Sequence, residues 1–178
     1  MDKDEELTQI EYFIDAYNQI AGKQLCLTEK RESPDFLCEI KHQEIIGVEL
    51  CRIVRKNIVT HREIKKILRE EMDYDDADII GIILSNIIEK ETKRREVYSK
   101  VTKQTMLVLS FTDIPISPSM IELALFLQND FPDHGFSEIW FADYTLLDSH
   151  SDIRVFRLFP VEEGKVYKEI NPNSKPYG

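Results

Sequence analysis

Apolar residues recur at helical spacing near the start of the chain and then gather in short runs. From about Glu5 to Ala21 they return every three or four residues, and Gly22 follows, which predicts a helix that ends there. Three short apolar runs come next, separated by polar residues. They predict a meander of three strands, at Gln24 to Thr28, Asp35 to Ile40 and Ile45 to Ile53.

The rest of the chain alternates helical patterns with apolar strands. Thr60 and Glu63 have capping-box spacing at the start of a helix that runs to about Glu71. A long helix, a strand, a helix and two strands are predicted after it, at about 77–103, 106–111, 119–131, 137–142 and 153–159. The order predicts an α/β protein with helices flanking a central mixed β-sheet. We expect one domain over 1–178, with its core at about 5–160 and a loosely ordered tail at about 161–178.

Composition narrows the class of protein. The 178 residues are 42% hydrophobic and 31% charged, which is typical of a soluble globular protein. Cys26, Cys38 and Cys51 lie in apolar runs without a CxxC, so we expect buried free thiols. The N-terminus has no signal-peptide pattern, and no apolar stretch is long enough to span a bilayer. We therefore expect a cytoplasmic protein with no membrane partner.

Charge is unevenly distributed along the chain. The net charge is -10, yet residues 52–69 carry +6 and residues 90–103 carry +4. A basic face on an acidic body would attract the phosphates of a nucleic acid locally. The alternative is two solvated helix faces that are rich in Lys and Arg.

Two acids occupy positions that packing alone does not explain. Asp35 opens one short apolar run, and Glu49 lies inside the next. A buried carboxylate is costly unless it is paired or binds a cation. Pro34 fixes the backbone ahead of Asp35, and Gly47 permits a close approach beside Glu49. The pattern predicts a divalent metal at one end of a sheet.

The order of elements and these two acids together resemble the PD-(D/E)XK, or restriction-endonuclease-like, nuclease superfamily. That core has a helix, a three-stranded meander, a helix and a strand, with Asp starting the second strand and Glu-x-Lys on the third. Pro34-Asp35 and Gly47-Val48-Glu49 match it, and the likeness covers about residues 5–112. The resemblance implies a metal-dependent endonuclease acting on DNA or RNA. It also implies Mg²⁺ or Mn²⁺ held by Asp35, Glu49 and the Leu50 carbonyl.

The chain departs from that motif at Cys51, where the family has its lysine. Some members carry the lysine on a neighbouring helix instead. On the long helix, Lys90 and Arg94 fall on the face built from Ile80, Ile83, Ile87, Tyr98 and Val101. Lys90 is therefore the predicted catalytic lysine and Arg94 a predicted phosphate contact. The alternative for Lys90 is a side chain that snorkels from the helix edge.

Other candidate residues complete the predicted site. The resemblance favours an acid on the first helix, and Glu6 lies on its apolar face; the alternative is a first-turn acid that the helix dipole stabilises. Glu39 shares a strand face with Asp35 and is either a further ligand or a surface residue. Arg52, after the third strand's motif, and Arg62, at a predicted helix start, are candidate phosphate contacts.

Two other functions stay open. The chain could be a catalytically inactive restriction-endonuclease-like module that binds protein or nucleic acid, which Cys51 and the acidic surplus favour. An acidic inhibitor that mimics DNA ranks last. A homodimer or a partner protein is compatible with each. The sequence offers no zinc-ligand spacing, phosphate-binding glycine loop or nucleophile elbow, and Trp140 lies in an apolar strand, which favours core packing.

Overall fold

A six-stranded mixed sheet lies at the centre of the structure. The structure is a computed structural model, and it describes residues 3–41, 44–54, 75–117, 134–150 and 153–160. Its helices are α1 (Lys3–Ala21), α2 (Asp75–Glu96) and the short α3 (Leu147–His150), with a 3₁₀ turn at Tyr98–Lys100. Its strands are β1 (Leu25–Lys30), β2 (Phe36–Ile40), β3 (Glu44–Ile53), β4 (Gln104–Phe111), β5 (Glu138–Asp143) and β6 (Arg154–Phe159).

The strands follow chain order across the sheet, from β1 to β6. β1, β2 and β3 form an antiparallel meander, β3, β4 and β5 run parallel, and β6 returns antiparallel to β5. Parallel neighbours need a crossover connection, and α2 lies in the one between β3 and β4. The predicted fold class, an α/β mixed sheet, is confirmed.

Helices cover both faces of the sheet. On β4, Met106 and Val108 point toward the α1 face, whereas Leu107 and Leu109 point toward the α2 face. On the α1 face the helix contributes Ile10, Phe13 and Tyr17, which pack with Trp140. On the α2 face the helix contributes Ile82, Ile83 and Ile87. Trp140 is buried in the core, as predicted.

The long helix ends earlier than its pattern predicts. It stops at Glu96 rather than near Lys103, and the chain turns through the 3₁₀ segment into β4. The Thr102 hydroxyl there donates to the Ile45 carbonyl of β3 at 3.0 Å, and Tyr98 is buried. Val97 and Val101 flank the turn, and β-branched residues are weak helix formers. Tertiary contacts with the sheet therefore override the helical periodicity.

Other predictions have mixed outcomes. Cys38 and Cys51 are buried free thiols, but Cys26 is exposed, because alternate side chains of the edge strand β1 face solvent. The predicted helices at 60–71 and 119–131 and the tail lie outside the described residues. None of the helices in the described ranges is long and apolar enough to cross a membrane.

Candidate active site

Asp35 and Glu49 lie side by side where β2 begins. Phe36 pairs with Val48 in the antiparallel ladder, so Asp35 and Glu49 are the next residues outward on the two chain segments. The Asp35 N–H donates to Glu49 Oε2 at 3.2 Å. The Leu50 N–H donates to Asp35 Oδ2 at 2.8 Å. Each carboxylate is therefore held by the backbone of the segment that carries the other.

Leu50 contributes its backbone to this arrangement, while its side chain packs in the core on the α1 face. Its N–H points to the edge of β3 where Asp35 lies. The N–H and C=O of one residue in an extended strand point to the same edge. The Leu50 carbonyl therefore faces the Asp35 edge, not β4.

Gly47 makes room for the turn that carries Asp35. A Cβ atom at this position would lie 2.7 Å from Pro34 Cγ and 2.8 Å from Thr102 Cγ2, closer than real Cβ contacts come. Pro34 is itself buried. The close approach of Pro34 to β3 therefore requires glycine here, and it sets the position of the adjacent Asp35.

We expect Gly47→Ala to destabilise the protein by about 1–3 kcal/mol and to weaken divalent-metal binding, because Pro34 must move and Asp35 moves with it. Thermal unfolding and calorimetric metal titration measure the two effects. Gly22→Ala is the matched control: Gly22 has φ +60 and nothing within 4 Å of an added Cβ. It should lower stability through backbone strain alone. Unchanged metal affinity in Gly47→Ala would contradict this role for Gly47.

Lys90 reaches the acids from α2. Ile83 and Ile87 of the same helix are buried against the sheet, and Lys90 follows Ile87 by three residues on that face. Its Nζ lies 2.5 Å from Glu49 Oε1, with the two side chains 15% and 5% exposed. Burial disfavours the ammonium, but the charge and hydrogen bond of Glu49 outweigh it and raise the pKa of Lys90. The site thus contains a fixed positive charge.

Asp35 titrates near neutrality. Burial, followed by the charge of Glu49, raises the pKa of Asp35 from 3.8 to about 7, against the opposing effects of the Leu50 N–H and Lys90. The Leu50 N–H occupies Oδ2, and Oδ1 accepts no hydrogen bond within the described ranges. Asp35 therefore offers a carboxylate oxygen that a proton or a cation can occupy.

The raised pKa of Asp35 predicts a pH dependence of stability. Since the folded protein holds this proton more tightly than the unfolded chain, stability falls as the pH rises from about 4 to about 7, then levels off. Asp35→Asn removes the effect. The substitution should therefore stabilise the metal-free protein by about 2–4 kcal/mol near pH 8, with the gain shrinking toward pH 4. Urea unfolding across this range measures it, and a gain that does not change with pH would contradict the assignment.

Cys51 shares the α2 face of β3 with Glu49 and lies in the core beneath that helix. Burial raises the pKa of its thiol to about 11, although Lys90 opposes the shift. The thiol is therefore neutral at physiological pH and supplies no charge at the position where the resembled family has lysine.

Glu6 lies at the margin of the site. Its carboxylate pairs with Lys30 at 3.2 Å, and its charge makes the smallest of the named contributions to the pKa of Asp35. Within the described ranges, no group of three or more His, Cys, Asp or Glu side chains is placed to hold a metal ion. Glu6 as a metal ligand stays a prediction. Glu39 is half-buried in β2.

The arginines predicted to contact phosphate have other partners here. Arg94 donates to Glu91 at 2.6 and 2.9 Å and to the His134 carbonyl at 3.0 Å, which ties α2 to the segment before β5. These bonds engage the Nε and Nη2 atoms of the guanidinium. Arg52 is exposed and donates to Thr112 Oγ1 at 3.2 Å. Arg62 lies outside the described residues.

Tyr98 is the site residue that the sequence pattern missed. The helical periodicity assigned it only to the apolar face, and its ring is fully buried. Burial raises the pKa of its hydroxyl, and the nearby Glu49, Asp35 and Cys51 raise it further. A tyrosine rather than a phenylalanine at the end of an otherwise aliphatic face was the available signal, since buried hydroxyls need partners.

Comparison of the chain with protein-family models, with curated proteins and with solved structures finds no match.

Proposed function

We propose that the protein is a metal-dependent nuclease that hydrolyses phosphodiester bonds of DNA or RNA at Asp35, Glu49 and Lys90. The observation that carries the proposal is the contact between Lys90 and Glu49 beside Asp35. A lysine from α2 supplies, next to two strand acids, the positive charge that Cys51 does not provide. Two carboxylates can hold a divalent ion, and a lysine beside them can stabilise the charge that develops on a phosphate during hydrolysis.

The acids suit Mg²⁺ or Mn²⁺. Mg²⁺ keeps several waters and is commonly held by only one or two protein carboxylates, so two acids suffice. Asp35 and Glu49 would hold the ion, with the Leu50 carbonyl on the same edge. Burial first, and the charge of Glu49 second, raise the pKa of Asp35. With both acids ionised and Lys90 protonated, these three side chains carry a net charge of -1. A cation offsets it.

When bound, the ion would lower the pKa of a water and neutralise charge on the phosphate oxygens. Lys90 would turn from Glu49 toward a phosphate oxygen, placing its charge where negative charge develops. Glu49 and Asp35 would stay fixed by the backbone bonds that brace them. Exposed basic side chains near the end of α2 would attract the nucleic acid: Lys93, Arg95, Lys100 and Lys103.

A second candidate is an inactive module that binds nucleic acid or protein. The neutral thiol of Cys51 favours it, since the strand position beside Glu49 lacks a charge. Under this reading, the Lys90–Glu49 pair is only a buried ion pair that fixes α2 against β3.

A cleavage assay distinguishes the nuclease from the inactive module. The purified protein is incubated with plasmid, single-stranded DNA and RNA, in Mg²⁺ or Mn²⁺ and in EDTA. The nuclease proposal requires cleavage in metal and none in EDTA. The inactive module requires gel-shift binding or a protein partner without cleavage under any of these conditions. Cys51→Lys is then the variant in which some activity could return.

A further inference from the structure

The Tyr98 hydroxyl is a buried donor that lies beside Glu49 but meets no acceptor at full hydrogen-bond geometry among the described residues. Tyr98 is fully buried in the 3₁₀ turn after α2, and within the described ranges no hydrogen-bond partner of standard geometry reaches its hydroxyl. Burial, then the charge of and a hydrogen-bonding interaction with Glu49, raises its pKa, so the phenol stays protonated and lies close to that carboxylate. An unsatisfied buried polar group in a native protein calls for an explanation.

Each oxygen of Glu49 already accepts one hydrogen bond. Lys90 occupies Oε1 at 2.5 Å, and the Asp35 N–H occupies Oε2 at 3.2 Å. Lys90 and Tyr98 are two donors beside the Glu49 carboxylate. In the metal-free structure, the carboxylate accepts a hydrogen bond of standard geometry from the Lys90 ammonium but not from the Tyr98 hydroxyl. If the ammonium left, Glu49 Oε1 would lose its hydrogen bond, and a buried polar atom left unpaired is costly.

We propose that Tyr98 is the alternate donor to Glu49, whose hydroxyl takes the place of the Lys90 ammonium when that lysine turns to its phosphate. The inference rests on the proposed function, in which Lys90 must leave the acid. The exchange keeps Glu49 hydrogen-bonded and in position throughout. Tyr98 acts through Glu49 and is a positioning residue.

A double-mutant cycle in the metal-free protein tests the exchange. In the wild-type background, Tyr98→Phe removes a hydroxyl with no partner and should raise Tm by about 2–4 °C. In the Lys90→Met background the hydroxyl bonds Glu49, so the same substitution should lower Tm by about 2–4 °C. If Lys90→Met does not fold, Lys90→Gln provides the second background, with the same reversal expected.

Tyr144→Phe is the matched control. The Tyr144 hydroxyl is also buried, but it donates to the Gln9 carbonyl at 2.8 Å on the α1 face. Its loss should lower Tm equally in both backgrounds.

A reversal of sign confined to Tyr98 supports the exchange, because a merely structural tyrosine would act the same way in both backgrounds. The same sign in both, whether positive or negative, overturns it. The cleavage assay tests the nuclease proposal separately. If no cleavage occurs but the Tyr98→Phe effect still changes sign between the two backgrounds, the nuclease proposal is refuted and the exchange of donors at Glu49 stands.

Discussion

Asp35→Asn and Glu49→Gln are both expected to remove metal-dependent cleavage while shifting stability in opposite directions. Each substitution deletes a charge that would hold the ion, and each should lower the cleavage rate by at least ~10³-fold, or about 4 kcal/mol of activation free energy. The loss of activity alone would not separate a ligand from a residue that supports the fold. The opposite effects on the free energy of unfolding do separate these two roles.

The opposite signs follow from the partners of the two acids. Asp35 accepts the Leu50 N–H, but its burial and the charge of Glu49 outweigh this bond and the attraction of Lys90, so its neutralisation stabilises the metal-free protein near pH 8. Glu49 carries the buried ion pair with Lys90, so Glu49→Gln leaves that ammonium without its counter-ion. We expect Glu49→Gln to cost about 3 kcal/mol.

Single-turnover cleavage in Mg²⁺ and urea unfolding without metal, each carried out on both variants, measure these effects. Full activity in either variant would refute the metal site. Destabilisation by Asp35→Asn near pH 8 would show that Asp35 is a structural ion-pair partner, contrary to the charge balance inferred above.

Lys90→Met should lower the cleavage rate by at least ~10²-fold without weakening Mg²⁺ binding. Removal of one electrostatic stabiliser of a transition state commonly costs this much. Since Lys90 neutralises Glu49 in the resting site, its loss should leave Mg²⁺ affinity unchanged or higher. Lys23→Met is the matched control, because Lys23 lies between α1 and β1, and its half-exposed side chain pairs at 3.5 Å with Glu138. The control should retain activity within about threefold.

Moving the lysine back to β3 provides the complementary test. Cys51 lies on the Glu49 face and close enough to Lys90 for each to affect the pKa of the other. In the Lys90→Met background, Cys51→Lys should restore part of the rate, whereas Cys51→Ala should restore none. Equal activity of Lys90→Met and wild type would exclude a catalytic role for this lysine.

The strand pattern and the helical phase could predict the three groups of the site. Asp35 and Glu49 stand out because acids interrupt runs whose flanking residues are buried, and a short connection between two antiparallel strands brings them together. Lys90 follows from the 100° rotation per residue that places it after Ile83 and Ile87. These inferences depend on local spacing, which a sequence displays directly.

What the sequence could not show depends on distant contacts. Arg94 falls on the predicted face, yet its carbonyl partner lies forty residues further on, at His134. Tyr98 becomes part of the site only because the helix ends at Glu96, and that ending depends on packing against the sheet. Cys26 lies in an apolar run but is exposed, because β1 is an edge strand. No periodicity encodes these facts.

Calorimetric titration of the protein with Mg²⁺, in buffers of different ionisation enthalpy, tests the central claim most directly. An ion bound by Asp35 must displace the proton that its pKa of about 7 retains. We predict that the release falls from most of a proton well below pH 7 to almost none well above it, and that Asp35→Asn shows no such release. Absence of binding, or proton release that does not vary with pH, would contradict a metal centre at Asp35 and Glu49.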